Sequence, residues 1–184
     1  TCAQSFGIPL KTIERALGSL PPIKGRVEQF TTPSGSKKKI TAIVDYAHTP
    51  DSLRALYAAF PNKRRVCVLG NTGGGRDTWK RKEMGGIADS MCDVIILTNE
   101  DPYDEDPKKI VQMMAENIKK KYLIIMDRRL AIREALTRAK EGDVVLVTGK
   151  GTDPYIMGAN DKKTPWSDAS VVSEELIRLG YKEG

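Results

Sequence analysis

Asp143-Val144-Val145-Leu146-Val147, running straight into Thr148-Gly149-Lys150-Gly151, decides the fold class. Near-continuous valine and leucine is what a strand buried on both faces requires, and such strands belong to parallel sheets covered by helices on either side. Working outward, short apolar runs alternate with helical patterns. Further strands are expected at 65–69, 93–98 and 123–126, and helices around 81–91, from Asp106-Pro107 to about 120, over 130–140 and over 168–179. Ala131, Ala135, Leu136 and Ala139 form the apolar stripe of the 130–140 helix. Upstream, 26–32 and 39–44 read as two strands of a hairpin around Pro33-Ser34-Gly35. Thr49 then caps a helix to Phe60, with Pro50 at its first position and Asp51 in its first turn. This order specifies an α/β fold: a Rossmann-like, mostly parallel sheet flanked by helices, with an edge β-hairpin.

Ahead of the hairpin, Ile8, Leu10, Ile13, Leu17 and Leu20 recur at helical spacing, and Pro21-Pro22 ends that helix. The chain starts at Thr1 rather than Met, and its opening segment is expected to be the end of something longer. With 184 residues, 40% hydrophobic and 29% charged, the chain fits one globular α/β domain, or one domain carrying a fragment of another. No apolar run approaches the roughly 20 residues that span a bilayer, and no basic start followed by an apolar stretch marks a secretory signal. A soluble, cytoplasmic protein without a membrane partner is expected. Thirty basic against twenty-four acidic residues give +6, which suits nucleic acid or an anionic small molecule. The basic residues are scattered, however. Their densest run, Lys37-Lys38-Lys39, falls at the hairpin tip with no interleaved aromatics, which argues against a nucleic-acid surface. Cys2, Cys67 and Cys92 are an odd number, far apart, without zinc spacing, and all three are expected to be packing residues.

Four polar, mostly glycine-bearing segments follow expected strands: Asp45-Tyr46-Ala47-His48, Gly70-Asn71-Thr72-Gly73-Gly74-Gly75-Arg76, Asn99-Glu100-Asp101-Pro102-Tyr103 and Gly149-Lys150-Gly151-Thr152-Asp153. In an open parallel sheet the carboxyl ends of the strands lie along one rim, where ligands bind. Glycine and aspartate also mark ordinary turns, but four such loops on one rim define a candidate site. Gly73-Gly74-Gly75 lets backbone amides approach an anion, and Arg76, oriented by Asp77, offers a fork for a carboxylate or phosphate. Lys80, Arg81 and Lys82 are expected on a solvated helix face. A Gly-x-x-x-x-Gly-Lys-Ser/Thr loop is absent, and Gly149-Lys150-Gly151-Thr152 imitates only its end. The single histidine, His48, excludes a histidine metal cluster, and no Gly-x-Ser-x-Gly elbow accompanies it. It reads equally as a nucleotide or phosphate contact and as a hydrogen-bonded residue at a helix start.

Val44-Asp45-Tyr46-Ala47-His48-Thr49-Pro50-Asp51-Ser52-Leu53, the glycine-rich loop with Arg76-Asp77 and Lys80-Arg81, the acidic proline loop before Glu105-Asp106-Pro107, and Gly149-Lys150-Gly151 resemble, in order and spacing, the carboxy-terminal domain of the Mur ligase family. The nearest likeness is to members that add the third residue of the peptidoglycan stem peptide. The resemblance covers about Pro22 to the end. It implies that residues 1–21 are the tail of a central ATP-binding domain and that 22–184 are the carboxy-terminal domain of a three-domain cytoplasmic enzyme. Such an enzyme activates UDP-MurNAc-dipeptide with ATP and Mg2+ as an acyl phosphate and joins it to an amino acid. ATP and Mg2+ would be held mainly by the central domain, so this chain alone is expected to be inactive.

Residue by residue, the resemblance places Arg26, Asp45 and His48 at ATP, and Arg76 on the carboxylate of the incoming amino acid. Glu100, Asp101 and Tyr103 stand where diaminopimelate-adding members carry Asp-Asn-Pro-Arg. Gly149 and Asp153 match the ends of Gly-Lys-Gly-His-Glu, with Thr152 in place of histidine. Tyr103 cannot pair with the second carboxylate of diaminopimelate, while Glu100, Asp101 and Asp153 suit a distal ammonium. Lysine or a similar diamine is therefore the first expectation, with Lys108 or Arg128 as possible sources of the charge that Tyr103 lacks. The alternatives are a non-catalytic ligand-binding α/β module, and the same domain of another Mur or folylpolyglutamate synthetase-like ligase.

Overall fold

A computed structural model describes residues 2–32, 38–75 and 77–180. Two helices, α1 (Cys2–Ser5) and α2 (Leu10–Gly18), come first and bury none of their residues. Then follow β1 (Glu28–Thr31), β2 (Thr41–Asp45), α3 (Pro50–Ala58), β3 (Arg65–Leu69), α4 (Trp79–Met91), β4 (Val94–Leu97), α5 (Pro107–Ala115), β5 (Tyr122–Ile124), α6 (Arg128–Arg138), β6 (Val144–Thr148), β7 (Tyr155–Met157), β8 (Lys163–Pro165) and α7 (Asp168–Arg178). The main sheet runs β1-β2-β6-β3-β4-β5. Only β1 is antiparallel, pairing with β2 at the edge. The expected parallel sheet with an edge hairpin is therefore present, although the Pro33-Ser34-Gly35 turn and Lys37 lie outside the described residues.

The Val144–Thr148 strand sits between β2 and β3, and all five of its residues are buried. Strand alternation divides the core. Cys67, Leu69 and Leu146 face the layer of α3, α4 and α5, where Leu53, Met84 and Val111 are packed. Val66, Val68, Val145 and Val147 face α6 and α7, where Ala131, Ala135, Leu136 and Ala139 form the stripe read from the sequence.

Helix starts follow their caps. Thr49 and Ser52 exchange side-chain and backbone hydrogen bonds in a capping box, while Asp106, Asp127 and Ser167 each accept from a first-turn amide. Helix α5 stops at Ala115, short of the expected 120, and the β7–β8 hairpin has no counterpart in the sequence reading. Its strands are short, and β8 is exposed throughout, so no apolar alternation announces it.

Two expectations are corrected. Cys67 and Cys92 form a disulfide rather than packing independently. Sequence separation hid this: Cys67 lies mid-strand in β3, and Cys92 directly follows the helix that packs on the same face. The second correction concerns Lys80 and Arg81, which are buried, while Lys82 alone is on the exposed side.

Candidate amino-acid and nucleotide site

The order β2-β6-β3-β4 brings four strand ends side by side, and the loops after them surround one cavity of about 500 Å³. Tyr46 and His48 line it after β2, and Thr72, Gly73, Asp77 and Lys80 after β3. Glu100, Asp101 and Tyr103 contribute from the loop after β4, and Gly149 and Asp153 from the loop after β6. Of the residues read from the sequence, His48, Glu100, Asp101, Tyr103, Gly149 and Asp153 are thus brought together. Arg76 lies outside the described residues.

Arg26 and Asp45 flank the cavity rather than line it. The guanidinium of Arg26 lies 4.5 Å from the ring centroid of Tyr46, and that ring meets His48 edge-on at 4.6 Å between centroids. His48 Nδ1 is 2.8 Å from the Tyr46 carbonyl, which can only accept, so Nδ1 donates and Nε2 is left for another partner. Both oxygens of Asp45 serve the backbone, Oδ2 accepting from the Val27 amide and Oδ1 from the Ala47 amide, each at 2.8 Å. Burial, followed by the charge of Asp153 and Glu100, pushes the Tyr46 phenol up.

The glycine-rich loop is held from beneath by a residue first expected in solvent. Arg81, 1% exposed, donates to both oxygens of Glu105 at 2.9 and 3.0 Å and to the Thr72 carbonyl at 3.1 Å. Glu105 in turn accepts from the Gly75 amide, and the Arg81 hydrogen bonds hold its carboxyl below the usual glutamate range. Gly73 lies so close to the Pro102 carbonyl that a Cβ there would collide with it, so this loop and the one after β4 are packed backbone to backbone.

The carboxylates are not equivalent. Asp101 is occupied by Lys150, whose Nζ lies 2.8 and 2.7 Å from its two oxygens. Glu100 is buried, and its Oε1 accepts from Thr72 at 2.9 Å. Its Oε2 has no hydrogen-bond partner. Burial raises its pKa against the opposing pull of Arg128 and Thr72. Gly149, at φ 109°, leaves the space that Oε2 fills, since a Cβ there would overlap it. Lys80, 8% exposed, is the cavity's cation among the described residues, and no carboxylate pairs with it. Arg128, considered as a partner for substrate, is instead buried against Asp168 at 2.8 and 2.6 Å. Sequence reasoning missed Lys80, Arg81 and Lys150 because charge alone does not show which helix face or loop side turns inward.

Fold and site together define a mostly parallel α/β domain whose strand-end loops enclose a cavity lined by charges of both signs. Residues 25–151 match the family described as "Mur ligase, glutamate ligase domain", and the chain belongs to that family. It is 39% identical over 183 residues to the UDP-N-acetylmuramoyl-L-alanyl-D-glutamate--2,6-diaminopimelate ligase of Caldanaerobacter subterraneus subsp. tengcongensis, covering 96% of this chain and 36% of the relative. A solved structure of a ligase of that name superposes with a TM-score of 0.73 and 27% identity, over 98% of this chain and 37% of that one. The bifunctional folylpolyglutamate synthase/dihydrofolate synthase of Yersinia pestis, solved with AMPPNP and a Mn ion, shares the fold alone, with a TM-score of 0.54, 18% identity and coverage of 94% and 40%. This chain therefore spans just over a third of the curated relative's length.

Proposed function

We propose that this chain is the amino-acid-binding carboxy-terminal domain of an ATP-dependent ligase that adds a diamino acid, as the third residue, to UDP-MurNAc-dipeptide in peptidoglycan synthesis. Residues 1–21 then belong to the preceding ATP-binding domain, and the enzyme works in the cytoplasm with its amino-terminal and central domains. One observation carries this reading: the cavity is lined by the cation of Lys80, with which no described carboxylate pairs, by the carboxylate of Asp153, and by Glu100, whose buried Oε2 has no hydrogen-bond partner. Opposite charges fixed across a cavity are complementary to an amino acid in its zwitterionic form.

In such an enzyme the dipeptide carboxylate becomes an acyl phosphate. The incoming amine attacks its carbonyl, the amide bond forms and phosphate leaves. This domain's part is positional. Lys80 holds a carboxylate, while Glu100 and Asp153 hold an ammonium, so that the reacting amine is presented in one orientation. Arg26 stacked on Tyr46, with the free Nε2 of His48, makes a cationic and aromatic surface suited to a nucleotide, and Asp45 shapes it through the backbone. Among the described residues no group of three His, Cys, Asp or Glu side chains is placed to hold a metal ion. The divalent cation that the resemblance implies would then be held mainly by the central domain.

Diaminopimelate, the amino acid in the relatives' names, replaces lysine as the leading substrate. Lysine rests on the missing positive charge at Tyr103 and on Glu100, Asp101 and Asp153 as partners for a distal ammonium, but Lys80 supplies such a charge in the same cavity and Asp101 is taken up by Lys150. The full-length enzyme, given ATP, UDP-MurNAc-dipeptide and a panel of amino acids, is expected to release phosphate with diaminopimelate. Preference for lysine would return the substrate to the first expectation. Turnover with no diamino acid, or only of folate with glutamate, would overturn the function.

A further inference from the structure

Lys150 is fully buried, yet it lies among the loops of the cavity without lining it. Its Nζ bonds both oxygens of Asp101 and lies 3.4 Å from Oδ2 of Asp153. Asp101 Oδ1 also accepts from the Met157 amide at 2.8 Å, and the Tyr103 amide donates to the Met157 carbonyl at 3.2 Å. One ammonium thus ties together the loop after β6, the loop after β4 and the β7–β8 hairpin. A buried ammonium is unfavourable unless it is paired, and a well-packed apolar residue generally does as well for stability. The reason for a lysine here lies in what it does to the carboxylates around it.

We propose that Lys150 is a positioning residue that decides which carboxylates of the cavity are free for the substrate amine. As the internal counter-ion of Asp101 it removes that carboxylate from the ligand set, although sequence reading had counted it in. Glu100, which Lys150 does not bond, and Asp153, which Lys150 holds through Oδ2 alone, are left to receive the amine. The same bond aims Asp101 at the Met157 amide and so fixes the hairpin beside the cavity. The proposal rests on the reading that this cavity takes an amino acid, and one of its two tests does not depend on that reading.

The first test uses the full-length enzyme carrying Lys150→Met together with Asp101→Asn, a pair that leaves no buried charge unpaired and therefore folds where a single variant could fail. Its KM for the amino acid is expected to rise about tenfold, because Asp153 loses the ammonium that holds its Oδ2 and with that orientation one charge-assisted hydrogen bond to the amine, while KM for ATP and for UDP-MurNAc-dipeptide stays within about twofold. A pair that only holds the fold would leave all three constants alike, and an unchanged amino-acid KM in the folded double variant overturns the proposal. The second test is hydrogen exchange on the same double variant. The Met157 amide is expected to lose protection although Asn in place of Asp101 still offers it an acceptor oxygen, and unchanged protection there overturns the proposal. If the wild-type enzyme ligates no amino acid, the proposed function fails, and the exchange experiment still judges the role of Lys150 in aiming Asp101.

Discussion

Two buried ion pairs hold the rim loops, and they do different work. Arg128 with Asp168 lies on the α6 and α7 side. The guanidinium also donates to the carbonyls of Thr148 and Asn99, at 2.8 and 3.2 Å, and Trp166 Nε1 donates to Asp168 at 2.7 Å. Lys150 with Asp101 lies beside the cavity. The arginine's planar fork ties the ends of β6 and β4 to α7 in one rigid arrangement, whereas the lysine is a point charge that its neighbours share. The contrast teaches that burial of a charged pair alone does not mark function. What distinguishes the second pair is a cavity within reach of its partners.

The largest effect should come from breaking the first pair. Arg128→Met leaves Asp168 charged and wholly buried, and is expected to cost about 3–5 kcal/mol, with a fall in Tm of roughly 6–20 °C in thermal denaturation. A loss as small as that of an exposed pair would remove the distinction between scaffold and site.

Next comes the covalent tie on the opposite face. Cys67 and Cys92 are separated by 25 residues, and closing a loop of that length in the unfolded chain is worth about 3.5 kcal/mol. Reductant should lower Tm accordingly, and thiol titration before and after unfolding checks that this bridge is the one opened. It should leave Lys150 and Asp101 undisturbed, because the tie joins β3 to the residue after α4 and neither cysteine lines the cavity.

The smallest effects are those of pH, and they separate Glu100 from Glu105. Arg81 holds the Glu105 carboxyl low, so its contribution to stability is present above the ordinary glutamate pKa and is lost as pH falls through the lowered one. Burial holds the Glu100 carboxyl high, so the folded state keeps that proton longer, and the corresponding stability is present at acid pH and lost as pH rises through the raised value. In urea titrations across pH, Glu105→Gln should flatten the acid side and Glu100→Gln the side above the ordinary glutamate pKa. Equal slopes in both variants would show that the two carboxyls share one environment.

Much of this was legible before any coordinates. The 143–147 run announced a doubly buried strand, Thr49, Asp106 and Ser167 capped helices as their chemistry demands, and four strand-end segments pointed to one rim. The inward turn of Lys80 and Arg81 was not legible, because Trp79-Lys80-Arg81-Lys82 carries three charges around one helical turn and only packing selects the face. Nor was the disulfide, whose cysteines meet through α4 folding back onto β3.

By itself, then, the amino-acid sequence determined the layered α/β architecture and the loops that gather at the strand ends, since periodicity, capping and turn chemistry act over a few residues. Only the tertiary structure decided which charges cancel and which remain open. Lys150 neutralises Asp101, Arg128 neutralises Asp168, and Glu100 keeps a free oxygen. Those outcomes depend on distances of about 3 Å between segments remote along the chain, and electrostatic interactions of that range are set by packing rather than by local sequence.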